Sequence, residues 1–169
     1  IKGFEFAANA LVSENFSIYG GFNVIDSEIK ANQVRPDTVG NKAPYTADYT
    51  INAGIQGDFP VTDDIEIVGR LDYSRVGPTW FHTVQDNDQN SLFGPANYGK
   101  TQRNAYDTVD LRIGVEAANW AITGFAKNLL DEEYLEEVIP SPQFGGSFIH
   151  GAWCRGSSAG LWKNLSSNT

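Results

Sequence analysis

Apolar and polar side chains alternate in six stretches of this chain. Phe4, Phe6, Ala8, Ala10 and Val12 share one parity, against Glu5, Ala7, Asn9 and Leu11 on the other. Phe16, Ile18, Gly20, Phe22 and Val24 oppose Ser17, Tyr19, Gly21 and Asn23 in the same way. The pattern returns at Tyr49, Ile51, Ala53, Ile55 and Gly57, at Ile65, Ile67, Gly69, Leu71 and Tyr73, and at Val109, Leu111, Ile113 and Val115. It closes with Trp120, Ile122, Gly124 and Ala126. A period of two is the mark of a β-strand with two unlike faces. The connections between stretches alternate in length. Short turns are expected at 13–15, 58–64 and 117–119, and long connections at 25–46, 76–106 and 131–147. Strands of about ten residues joined in that rhythm predict an antiparallel up-and-down sheet with one face in lipid.

The polar parity supports the lipid reading. On the fourth stretch it carries Glu66, Val68, Arg70, Asp72 and Ser74. Consecutive charges of this kind call for water or for each other. On a lipid face, Lys or Arg costs about 2–4 kcal/mol at the bilayer midplane, and acids somewhat less. Aromatic residues fall near strand ends at Phe16, Tyr45, Tyr49, Tyr73, Tyr106, Trp120 and Tyr134, where an interfacial girdle would place them.

Composition then removes whole classes of function. The 169 residues carry a formal net charge of −9, which argues against a nucleic-acid partner. The single cysteine, Cys154, allows neither an internal disulfide nor a cysteine-rich zinc site. No apolar run reaches the length of a transmembrane helix, a result that leaves β-strand spans open. Nucleophile elbows, phosphate loops, paired catalytic carboxylates and redox cysteine pairs are not apparent. The chain is therefore not expected to be an enzyme, and neither a catalytic residue nor a metal or other cofactor is assigned.

The stretch Trp120-Ala121-Ile122-Thr123-Gly124-Phe125-Ala126-Lys127-Asn128-Leu129-Leu130-Asp131-Glu132-Glu133-Tyr134 resembles the penultimate-strand motif of TonB-dependent outer-membrane receptors, a strand that ends in Asn-Leu-x-Asp-x-x-Tyr. Two weaker matches accompany it. Lys2-Gly3-Phe4-Glu5 is similar to a strand start that recurs upstream in that family. Gly40-Asn41-Lys42-Ala43-Pro44-Tyr45-Thr46 is similar to another, with its second proline missing. The resemblance covers residues 2 to about 150. It implies an all-β fold: about six to seven strands of a 22-stranded transmembrane barrel. The plug and the TonB box of such a receptor are not in this sequence, so the chain reads as a C-terminal quarter of a receptor. The motif residues Asn128, Leu129, Asp131 and Tyr134 are read as structural. Asn128 and Asp131 suit hydrogen bonds to their own backbone that close a turn. Tyr134, apolar in body and polar at its tip, suits a membrane interface.

Residues 151–169 fit this pattern poorly. The alternation stops, and Ser and Gly become frequent around Cys154. The terminal aromatic of family members is absent as well. The chain is divided accordingly into a barrel portion, 1–150, and an atypical tail, 151–169. A shifted reading frame near Gly151 or an unordered tail would account for the change.

Candidate ligand contacts are few. Trp80, Phe81 and His82 open the longest connection, on the side where a receptor captures its solute. Aromatic anchors of this kind often dominate binding energy. Asp86-Asn87-Asp88-Gln89-Asn90 begins like a calcium loop but has Ser91 and Asn97 where glycine and glutamate are needed. It is read as a polar surface loop.

The resemblance implies a fragment of a bacterial outer-membrane receptor. Such receptors carry out TonB-energised uptake of a bulky, scarce solute, such as an iron-siderophore complex, cobalamin or an oligosaccharide. The expected partners are outer-membrane lipid, the remainder of the barrel and the plug, with the TonB complex reached only through that plug. The competing reading is a soluble β-sandwich or lectin-like binding domain, which also gives short alternating strands.

Overall fold

The computed structural model describes residues 1–85, 89–91, 94–96, 98–141, 147–154 and 158–165. Four long strands come first: β1 (Lys2–Ser13), β2 (Phe16–Asp26), β3 (Tyr49–Thr62) and β4 (Ile65–Val76). Four short pieces follow: β5 (Thr79–Trp80), β6 (Gln89–Ser91), β7 (Gly94–Ala96) and β8 (Gln102–Arg103). The chain continues with β9 (Tyr106–Ala117), β10 (Trp120–Lys127), β11 (Tyr134–Ser141), β12 (Ser147–Cys154) and β13 (Ser158–Leu165). Seven of these form one sheet, in the order β1-β2-β3-β4-β9-β10-β13. Every neighbouring pair is antiparallel. The fold is all-β. Its short turns lie at one end of the sheet, the turn end, and its long connections at the other, the loop end.

Register keeps the apolar parity on a single face across the sheet. Phe6 stands opposite Phe22, Phe22 opposite Ile51, and Ile55 opposite Leu71. Leu71 then meets Leu111, and Val115 meets Ile122. A slip of one residue anywhere would exchange the faces. No other sheet covers the apolar face among the described residues, and Phe4 and Ile113 remain 62% and 54% exposed. The buried apolar residues Phe81, Val84, Tyr98 and Val138 all lie in the long connections at the loop end.

Two expected connections and the stretch set apart as a tail take a different form. The turn foreseen at 58–64 is confined to Asp63 and Asp64, because β3 runs on to Thr62. Pro60 is tolerated there. The amide of Asp58 points to Asn15, so the nitrogen of Pro60 points to the same side, where β2 has already ended. The connection expected at 131–147 contains β11, which pairs with β12 as a separate hairpin. Within the stretch set apart as a tail, β13 pairs with β10 from Lys127↔Ser158 to Trp120↔Leu165. Residues 142–146, 155–157 and 166–169 of that region lie outside the described residues, as does Asp86–Asp88 of the calcium-like stretch.

The aromatic ring of Phe125 fills the space above Gly160, its direct partner on β13. A Cβ at Gly160 would sit 2.6 Å from that ring. Gly160→Val is therefore expected to weaken the β10–β13 ladder by about 1–3 kcal/mol, the usual cost of overpacking. Amide hydrogen exchange along Trp120–Lys127 measures it; unchanged protection would show that β13 does not hold β10.

Candidate functional site

The loop end of the sheet is closed by a small cap built from the three long connections. Backbone bonds tie the first to the second: Tyr45 N–H donates to the Trp80 carbonyl at 2.7 Å, and Asp48 N–H to that of Pro78 at 3.2 Å. Asn41 donates from Nδ2 to the Thr83 carbonyl at 2.9 Å. Gln85 accepts from the Lys42 amide at 3.0 Å and donates back to the Lys42 carbonyl at 2.8 Å. The third connection joins through Arg103. Its Nη1 donates to the Leu135 carbonyl at 3.3 Å, and its Nη2 to Thr79 Oγ1 at 2.9 Å. The guanidinium lies between aromatic rings, 5.5 Å from the centre of Phe81 and 4.7 Å from that of Tyr106.

Within this cap Trp80, Phe81 and His82 take three different positions. Trp80 pairs with Gln102 in the β5–β8 ladder and is half-buried. Phe81 is 4% exposed and meets Tyr45 edge-on at 5.6 Å. His82 stacks on Tyr98 at 5.0 Å, and its Nδ1 accepts the Val84 amide at 3.0 Å. That bond assigns the ring proton of neutral His82 to Nε2. Burial lowers the His82 pKa, because the charged ring would lose hydration inside the cap.

The motif after β10 forms a second cluster. Asn128 has φ +49° and Asp131 φ +52°, both in the left-handed region. Asn128 is buried and its amide group bridges the turn: Nδ2 donates to the Glu132 carbonyl at 2.9 Å, and Oδ1 accepts the Glu132 amide at 3.0 Å. Its own N–H donates to Asp110 Oδ1 at 2.9 Å, and Leu129 N–H donates to the Val109 carbonyl at 2.7 Å. Two carboxamide bonds and a tolerance for positive φ explain why asparagine sits here. Asp131 closes the turn through its backbone, N–H to the Asn128 carbonyl at 2.9 Å. Tyr134 stacks on Tyr106 at 3.8 Å. With Tyr45 against Phe81, these three tyrosines belong to the cap and not to a girdle on the apolar face.

Sequence reasoning missed a polar cluster that closes the apolar face at its loop end. Arg75 donates from Nη1 to both oxygens of Asp107, at 2.8 and 3.0 Å, and from Nε to the Tyr49 hydroxyl at 3.3 Å. The Tyr73 hydroxyl donates to the same carboxylate. The signal was present in the parity, since Arg75 and Asp107 extend two apolar series by one step and stand directly opposite each other.

The opposite face is polar and openly concave. A cavity of about 610 Å³ is lined there by Gln56, Asp58, Glu66, Arg70, Arg112 and Glu116. Like charges meet across the β4–β9 ladder: Glu66 opposite Glu116, Arg70 opposite Arg112, Asp72 opposite Asp110. Such pairs destabilise a sheet unless compensated. Arg70 is compensated by Asp72, with Nε–Oδ2 2.8 Å and Nη2–Oδ1 2.9 Å, and Tyr19 donates to the same carboxylate. Among the described residues Glu66, Arg112 and Glu116 form no salt bridge.

No family model matches the chain. Its fold is similar to that of the ferric yersiniabactin uptake receptor FyuA from Yersinia pestis, with a TM-score of 0.77 and 20% sequence identity. The match covers 96% of this chain and 23% of that one, so the chain spans less than a quarter of the receptor's length. The likeness is one of fold: an antiparallel segment of a β-barrel.

Two tests follow, the first of the Asn128 turn and the second of the cap. Asn128→Ala is expected to cost about 2–3 kcal/mol, from a left-handed residue without glycine or asparagine and from lost hydrogen bonds. Asn128→Gly, which relieves the backbone, should cost less. Urea unfolding of both variants measures the order, and equal losses would count against the backbone component. The second concerns pH. His82 has a folded pKa below its unfolded value, so the unfolded state takes up its proton first as pH falls. Cap stability should decline from just above the ordinary histidine range down to the depressed value, then level off. His82→Phe should flatten that slope in amide exchange measured from pH 7.5 to 5.

Proposed function

We propose that this chain is part of the barrel wall of a TonB-dependent receptor in a bacterial outer membrane. Its solute would be bulky and scarce, such as an iron-siderophore complex, cobalamin or an oligosaccharide. One observation carries the reading: a continuous apolar face without protein cover among the described residues, bounded above by the Tyr49–Tyr73–Arg75–Asp107 cluster. From Ile65 to Arg75 the strand measures about 33 Å at ~3.3 Å per residue, or about 25 Å along the membrane normal at a tilt of about 40°. That is the height of the apolar band of an outer-membrane barrel. The fold likeness to an uptake receptor and the Asn128–Tyr134 motif support the same reading.

In this arrangement the turn end faces the periplasm and the cap faces outward. The polar face lines the lumen, where Glu66, Arg112 and Glu116 meet water or a plug supplied by the rest of the receptor. Energy would reach the solute through that plug by way of the TonB complex. Ligand contact falls to the outer surface of the cap near Trp80 and His82, with Phe81 holding them from beneath. A β-sandwich would require a second sheet against the apolar face, and the other sheets of the described residues are two-stranded pieces.

Charge placement tests the assignment of faces. Leu111→Arg, near the middle of the apolar band, is expected to cost about 2–4 kcal/mol in vesicles. Asn52→Arg, on the polar face and opposite Ser74 and Gly21, should cost under about 1 kcal/mol. The two are compared by urea titration after refolding into phosphatidylcholine vesicles. Equal costs would sink the lipid-facing reading.

A further inference from the structure

We infer that the polar face carries a subsite for a flat anionic group, an aromatic carboxylate, formed by Arg112, Lys127 and the ring of Phe125. The inference rests on the proposed function, since it takes the polar face as the wall along which a solute passes. Phe125 is out of pattern on that face. It shares its parity with Ala121, Thr123 and Lys127, yet it is a bulky aromatic and is 36% exposed. Its strand partners are Arg112 on β9 and Gly160 on β13. The tip of the ring leans over Gly160, which explains where the ring sits. It does not explain the two cations left beside it.

Arg112 stands directly opposite Phe125, and Lys127 lies two positions along β10 on the same face. The two cations are thus diagonal neighbours. Such neighbours stand about 7–8 Å apart, within reach of long side chains. Both are exposed, and among the described residues neither forms a salt bridge. The nearest acids are engaged elsewhere. Asp72 gives both oxygens to Arg70, and the Tyr19 hydroxyl donates to it as well. Asp110 accepts the Asn128 amide through Oδ1. A cavity of about 510 Å³ opens over Arg70, Asp72, Asp110, Arg112, Phe125 and Lys127. That is the size of a small-molecule site, and it holds three cations against two carboxylates. It adjoins the Asn128 turn, where the cap begins.

The lining selects the ligand. A guanidinium forks onto a carboxylate through two parallel bonds, and an ammonium adds a point charge. The exposed ring offers a face or edge to a second aromatic ring. Glu66 and Glu116 form a rung nearer the turn end and would repel an anion, which confines it to the loop-end half of the face.

The experiment is equilibrium dialysis of 2-naphthoate, acetate and the neutral 2-naphthalenemethanol against the chain refolded into phosphatidylcholine vesicles, with empty vesicles subtracted. The natural chain should bind 2-naphthoate saturably with a Kd of about 1 mM, and at least about tenfold more tightly than acetate or the alcohol. Arg112→Gln should weaken 2-naphthoate about tenfold and Lys127→Gln about threefold. Arg112→Lys keeps the charge without the fork and should recover part of the loss. Phe125→Leu should shrink the preference over acetate. Arg35→Gln removes the same charge from the cap and should stay within about twofold. Amide exchange along Trp120–Lys127 checks that β10 is intact in each variant. A natural chain that does not bind 2-naphthoate overturns the inference, as does an Arg112→Gln variant that binds it unchanged. Acetate bound as tightly as 2-naphthoate would mean a bare anion site, of the kind a plug carboxylate could fill. The alcohol bound as tightly would mean a merely apolar one. Either result overturns the inference. The comparison of Leu111→Arg with Asn52→Arg decides the proposed function separately. If those two cost the same while the binding pattern holds, the lipid-facing reading falls and the subsite stands.

Discussion

Backbone hydrogen bonds between antiparallel strands carry this structure, because nothing among the described residues covers the apolar face those strands share. In a water-soluble sheet that face would pack on a helix or a second sheet, and its side chains would form the core. Here Phe4, Phe22, Ile55, Ile67 and Ile113 stay exposed, and among the described residues the ladders run from β1 to β13 without a packed layer on either side. Such a sheet depends on an apolar solvent for one face and on further strands for its edges. In the proposed reading, lipid and the rest of a barrel meet both needs.

The same constraint explains where the ordinary protein core has gone. Phe81, Val84, Tyr98 and Val138 are buried in the cap, where three connections fold against one another at the loop end of the sheet. Arg103 is central there because one planar guanidinium bonds to two connections and stacks on rings from two elements. The long connections are thus a folded unit resting on the wall, and a surface for capturing solute would inherit that rigidity.

The two faces also differ in how they handle charge. On the apolar face, the charges nearest the loop end, Arg75 and Asp107, neutralise each other and add tyrosine hydroxyls, which suits the proposed interface between hydrocarbon and headgroups. On the polar face, like charges stand opposite each other on three rungs, and each rung keeps at least one group without a salt bridge among the described residues. That arrangement is affordable only where water or a polar partner reaches the face.

The strands, their parity and the order of their connections were legible in the sequence, because a period of two is a local property of each segment. The turn at Asn128 was legible for the same reason: asparagine's carboxamide and its tolerance of positive φ act within five residues. β13 was not, since Gly160 and Ala159 show no alternation of their own and owe their place to the Phe125 ring and the β10 backbone. The fates of Phe81, Tyr106 and Tyr134 were not legible either. An aromatic side chain at a strand end suits a membrane interface and a packed loop equally well, and only contacts between distant connections choose between them. By itself the sequence determined which side chains share a face. Tertiary structure decided which loops meet and which edges stay open, because those depend on backbone pairing between residues far apart in the chain.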